Sequence, residues 1–152
     1  MVPTTPTNTT DAASKAYADS LVAVYKNGTT TKNAADASTT QTIAHGLSVT
    51  PKRVRIVAML SQAGASVGDM NTCIAETVYN GTTQSSVSVW RQSTGQTTYN
   101  TTFTLNAAGA DSATQSGVVT CDSTNITITW TKTGSPTGTY YLLWEANSKL
   151  LS

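Results

Sequence analysis

The chain carries a single histidine, His45, and two cysteines, Cys73 and Cys121. A histidine works as a base only beside a placed nucleophile, and no Gly-x-Ser-x-Gly elbow occurs here to supply one. One imidazole per chain also excludes a histidine-based metal cluster within a single molecule. His45 is followed by Gly46 and Leu47, with Pro51 shortly after, and this grouping reads as a corner between two strands. The two cysteines lie far apart, without the spacing or neighbours of a metal site. They read as buried thiols, a bridge within or between chains being the alternative.

Hydrolysis of a glycan needs two carboxylates across a groove. From residue 39 onward the acidic residues are sparse: Asp69, Glu76, Asp111, Asp122 and Glu145. Glu76 and Glu145 fall inside apparent strands, within reach of Arg53, Arg55 or Arg91, and read as surface or structural groups. The expectation is therefore a protein that is not an enzyme, with no catalytic, cofactor-binding or metal-binding residues. Aromatic rings at strand spacing read mainly as core. Trp90 beside Arg91, and Tyr79 before the Asn80-Gly81 turn, are the candidates for a ligand or partner surface. The small, polar loops at 61–71 and 107–116 are where a ligand would be sought first.

Composition narrows the class of protein. Nine basic and eight acidic residues give a net charge of +1, and only 11% of residues are charged. That lacks the basic footprint of a nucleic-acid binder. Thr makes up a fifth of the chain, and its branched Cβ suits a pleated surface. Thr-rich, charge-poor β chains are common among adhesins and virus surface parts. No apolar run approaches the ~20 residues of a membrane-spanning helix, so no membrane insertion is expected. The start of the chain lacks the basic and apolar regions of a secretion signal, so synthesis in a cytosol is expected.

The elements that must position these residues are mostly strands. Residues 1–10 hold two prolines and five threonines and read as an extended arm. Asp11 suits a helix N-cap and Asn27-Gly28 a stop, predicting a helical stem within residues 11–27. Tyr17, Leu21 and Val24 fall on one narrow stripe of that helix. A helix this short is marginal alone, so the stripe packs either on the chain's own β domain or on copies around a symmetry axis. Residues 28–38 are small and polar and read as a linker. From residue 39 to 152 the sequence predicts strands at 39–45, 53–61, 72–79, 86–91, 98–105, 117–121, 125–132 and 139–146, separated by Gly and Pro turn signals. Eight short strands predict a mainly β fold, a jelly-roll-like antiparallel β-sandwich.

Three stretches resemble a known family. Asp11, Ala12, Lys15, Tyr17 and Asp19 match an Asp-Ala-x-x-Lys-x-Tyr-x-Asp pattern that recurs in the fibres of tailed bacteriophages, where it marks short trimeric helical bundles. Ile43-x-His45-Gly46-Leu47, then Pro51-Lys52 and an apolar strand, is similar to the opening of small β domains in such fibres. The closing stretch Tyr140 to Ala146 resembles their final strand. Together these cover about a quarter of the chain. The resemblance implies a short homotrimeric fibre, spike or decoration protein of the virion, made in the bacterial cytoplasm and displayed on the particle. It implies a trimer stem at Tyr17, Leu21 and Val24. It also implies an anchor at Val2, Pro3 and Pro6 on a head, neck, collar or tail protein. The alternative it leaves open is a receptor-binding fibre tip that recognises a host surface polysaccharide.

Overall fold

A computed structural model describes residues 25–61, 73–91, 97–106 and 113–149. The fold is an antiparallel β-sandwich. The larger sheet has six strands: β1 (Tyr25–Asn33), β3 (Arg53–Ser61), β4 (Cys73–Tyr79), β5 (Gln84–Arg91), β6 (Thr97–Asn100) and β10 (Thr139–Asn147), in the order β1-β10-β3-β4-β5-β6. The smaller has four: β2 (Thr40–Ala44), β7 (Thr104–Asn106), β8 (Thr114–Cys121) and β9 (Asn125–Thr133), in the order β2-β9-β8-β7.

Strict alternation builds the core. Val54, Ile56 and Ala58 of β3 and Tyr140, Leu142, Trp144 and Ala146 of β10 point inward. They meet Ile43 of β2, Val119 of β8, and Ile126, Ile128 and Trp130 of β9 from the other sheet. Both central tryptophans lie over a glycine on the neighbouring strand. Trp144 is registered with Gly28 and Trp130 with Gly117. A Cβ at Gly28 would stand 2.7 Å from the Trp144 ring, and one at Gly117 would stand 2.9 Å from that of Trp130. In each pair the indole fills the space that a side chain would take.

Two expectations are corrected. The helical stem was to extend through residue 27 and a linker was to span 28–38. Tyr25 to Asn33 instead form β1, hydrogen-bonded along its length to β10. Gly28 is therefore the seat of Trp144 and not a helix stop. Residues 1–24, with the anchor Val2, Pro3 and Pro6 and the stripe Tyr17, Leu21 and Val24, lie outside the described residues. The strand expected at 98–105 is two strands in different sheets. Asn100 Oδ1 accepts from the backbone N–H of Thr102 at 3.0 Å and from its hydroxyl at 2.9 Å. That turn sends Phe103 into the core and the chain across to the second sheet.

The sandwich has two distinct ends. Tyr25 and Asn147 are paired, so β1 begins and β10 finishes at the same end. The β3–β4, β5–β6 and β7–β8 connections leave from the opposite end, where Ser61 pairs with Thr139, Cys73 with Trp90, and Asn106 with Thr114.

Candidate interaction surface

The outward faces of the two sheets differ in chemistry. On the four-stranded sheet, cross-strand rows run Thr42, Thr127, Thr120 and Thr40, Thr129, Val118. Hydroxyls pave that face, with Val118 as the large apolar exception. On the six-stranded sheet one row runs Thr31, Tyr141, Met59, Ile74, Val89 and the next Thr29, Leu143, Val57, Glu76, Val87. Tyr141, Met59, Ile74, Val87 and Leu143 are each 40% to 52% exposed. Contiguous exposed apolar rows of this kind make the face a candidate interaction surface.

Strand β5 explains how the face arises. Its inward residues include Ser88 and Trp90, and its outward ones Val87 and Val89, so part of the usual polarity is inverted. Ser88 is stabilised inside by donating to Thr102 O at 2.7 Å and accepting from the Thr104 N–H at 2.8 Å. Ser86 shares a 2.7 Å hydrogen bond with Thr77.

An ion-pair cluster borders the apolar rows. Arg55 Nε is 2.6 Å from Glu76 Oε1, and Arg55 Nη1 is 3.7 Å from Glu145 Oε2. The hydrogen bond to Arg55 holds the Glu76 carboxyl below the usual carboxylate range. All three side chains are about a third exposed, so water screens the pairs and each stabilises by at most ~1 kcal/mol. Arg53, exposed on the same face opposite Asn147, offsets the second carboxylate.

Of the predicted partner residues, Tyr79 and Trp90 are not brought together. Trp90 was expected to be exposed, yet it is 7% exposed and faces the core beside Cys73. The period-2 geometry of β5 turns it inward with Ser88. Tyr79 packs against the core, and its hydroxyl donates to Gly81 O at 2.9 Å, closing its own turn. Arg91 ends β5 beside Trp90, and its side chain lies outside the described residues. Tyr79 and Trp90 occupy opposite ends of the β4–β5 hairpin.

His45 is a structural pin in the expected corner. It is buried, its Nδ1 accepts the Leu47 N–H at 3.1 Å, and this fixes Nε2–H as the donor to Asp122 O at 3.0 Å. Both cysteines are free thiols. Cys73 is buried and Cys121 half-buried, and burial raises both thiols above their ordinary pKa. Among the described residues no group of three or more His, Cys, Asp and Glu could hold a metal ion.

Glutamines that the sequence reading passed over hold the sheets together. The Gln84 amide donates to Gly117 O at 3.0 Å and accepts from the Val119 N–H at 2.8 Å. It thereby replaces a strand partner along β8. Gln41 accepts from Trp130 Nε1–H at 3.0 Å and donates to Thr31 O at 3.0 Å, which ties β2 to the edge of β1. Gln115 donates to Ala34 O and Asp36 O. A polar residue at an inward position of an alternating strand is the sequence signal for such a bridge.

Lys32 is a charged counterpart. Its side chain is 3% exposed, 3.3 Å from Asp36 Oδ2 and 5.8 Å from the Trp130 ring centroid, while Asp36 is 52% exposed. Removing the acid leaves a buried ammonium short of its counterion, whereas removing the base leaves a carboxylate in water. Asp36→Asn is expected to cost about 1–2 kcal/mol, and Lys32→Met less than ~1 kcal/mol. Urea titrations of the two variants measure the asymmetry, and the reverse order would contradict it.

Tyr140 joins the sheets at the loop end. Its hydroxyl donates to Asn106 O, and the Asn106 N–H donates to Cys73 Sγ at 3.4 Å. Burial, reinforced by Cys73, pushes the phenol far above its ordinary range. The folded chain keeps this proton where the unfolded chain loses it near pH ~10. The contribution is therefore complete below that pH and falls as the pH rises past it. Tyr140→Phe is expected to cost about 1–2 kcal/mol at neutral pH and to flatten the loss of stability between about pH 10 and 11.5. Denaturation at stepped pH reads both effects.

Comparison with protein-family models, with curated proteins and with solved structures finds no match for this chain.

Proposed function

We propose that this chain is a structural, non-enzymatic component of a tailed-bacteriophage particle: a short homotrimeric fibre, spike or decoration protein. Residues 1–10 dock on a head, neck, collar or tail protein, the stripe Tyr17, Leu21 and Val24 forms the stem, and the sandwich projects outward. The observation that carries this reading is the polarity of the sandwich. The chain enters β1 at one end, and the β3–β4, β5–β6 and β7–β8 connections leave from the other. A stem at the first end leaves the second free at the tip. The low charge, the Thr-paved sheet and a His45 occupied by backbone on both nitrogens favour assembly over catalysis.

Light scattering on the full chain tests it. A trimer at micromolar concentration is expected, and a folded monomer would overturn the reading.

A second reading, a tip that binds host polysaccharide, is favoured by one observation. The β3–β4, β5–β6 and β7–β8 connections leave the sandwich together from the end opposite the start of β1, the position of a tip. A trimeric stem would multiply the valency of such a tip. Binding of the full chain to a bacterial glycan array separates the two readings: retention on one glycan class supports the tip, and none supports pure assembly.

A further inference from the structure

We propose that the outer face of the six-stranded sheet, built on Val57, Met59, Ile74, Val87, Tyr141 and Leu143, packs against a second copy of this chain. The inference rests on the reading of the chain as self-assembling, and it names the flank through which the β heads meet.

The sandwich supplies its own control. One sheet turns threonines to solvent and the other turns aliphatic side chains and Tyr141, in the same chain and the same alternating pattern. Burying Ser88 while exposing Val87 and Val89 would be a poor arrangement for a sheet that stays in water. It suits a sheet covered on both sides, since aliphatic residues then gain on both faces.

Size and charge select the occupant. Five interstrand spacings of ~4.8 Å and strands of up to nine residues rising ~3.3 Å each give a face of roughly 600 Å². In a threefold arrangement the face meets a different flank of the next copy, and a contact of that size buries about 1,200 Å² in total, where stable specific interfaces begin. A helix over residues 11–24 would be ~20 Å long and ~10 Å wide, covering no more than about a third. Among the described side chains of the face, Arg53 and Arg55 are balanced by Glu76 and Glu145. A patch so balanced has little to attract an anionic membrane or nucleic acid. It meets another copy of the chain without net repulsion.

Met59 reports on this face. The full chain is treated with dilute peroxide, and Met59 sulfoxide is followed by peptide mass spectrometry against the chain unfolded in denaturant. Light scattering is recorded on the same sample. The key variant is Val87→Lys, which sets an ammonium directly across from Glu76 and so suits the single sandwich while charging the proposed contact. Leu143→Thr is the milder companion, and circular dichroism confirms the fold of both.

The expected result is an oligomer whose Met59 oxidises at least tenfold more slowly than in the unfolded chain. That protection is lost in Val87→Lys and reduced in Leu143→Thr. An oligomer with Met59 oxidised at the unfolded rate overturns this inference and leaves the self-assembly reading standing. Protection retained in Val87→Lys also overturns it. A monomer with unprotected Met59 overturns both. A monomer with protected Met59 assigns the cover to residues 1–24 and overturns the second copy. A protected dimer supports the contact and overturns the trimer.

Discussion

Trp130→Ala is expected to destabilise the sandwich by about 3–5 kcal/mol, the range for truncating a fully buried tryptophan. The indole sits 1% exposed in the middle of β9, with its ring centroid 5.6 Å from that of Phe103. Truncation opens a cavity above Gly117, which has no side chain of its own to fill it. It also removes the donor to Gln41 Oε1, whose amide ties β2 to Thr31 of β1, and the ring facing the Lys32 ammonium. Both sheets loosen at once. Trp130→Phe keeps a six-membered ring in the site and loses the pyrrole edge with its N–H, so it should cost about half as much. Guanidinium unfolding measures both. A loss below ~1 kcal/mol for Trp130→Ala would show that the seam between the sheets does not depend on this ring.

The sequence made some of this architecture plain and concealed the rest for identifiable reasons. Strand β3 was predicted with the bounds it has, because Val54, Ile56 and Ala58 alternate without interruption. Strand β1 was missed because its inward positions are Gly28, Thr30 and Lys32, which carry no apolar signal. The apolar content of that site is supplied by Trp144 from β10. The break between β6 and β7 depends on an Asn100 side chain that caps a turn, which hydrophobic periodicity does not register.

The candidate surface was less legible. Residue types named Tyr79, Trp90 and Arg91 because aromatic and basic side chains often bind ligands. The strand register instead turns Trp90 inward and sets Val87 and Val89 outside. The apolar face is a property of four neighbouring strands in register. Met59, Ile74, Val87 and Tyr141 come from distant parts of the chain, and no single stretch contains the pattern. Loop chemistry drew attention to the end of the sandwich, while pairing of the strands concentrates exposed apolar area on its flank.

Gly117→Val is expected to cost about 3 kcal/mol, at the upper end for overpacking a closed core. A Cβ there would lie 2.9 Å from Trp130 Cζ3, 3.0 Å from Ile128 Cγ2 and 3.0 Å from Phe103 Cδ1. All three neighbours are fully buried, and none can swing into water to make room. Because β8 is held to β9 on one side and by Gln84 and Phe103 on the other, the backbone cannot shift without breaking ladder hydrogen bonds. Gly117→Ala should cost less, about 1–2 kcal/mol, since one methyl needs a displacement of only a few tenths of an ångström. In an ordinary strand, replacing glycine by a β-branched residue is favourable by propensity, so the sign of the effect is diagnostic. Val at 117 stabilising the chain in thermal unfolding would mean that the indole does not occupy the space above this glycine. In combination with Trp130→Ala the cost of Gly117→Val should fall sharply, because the cavity left by the ring accepts the added methyls. That non-additivity, read from a double-mutant cycle, separates a direct contact from two independent injuries to the core.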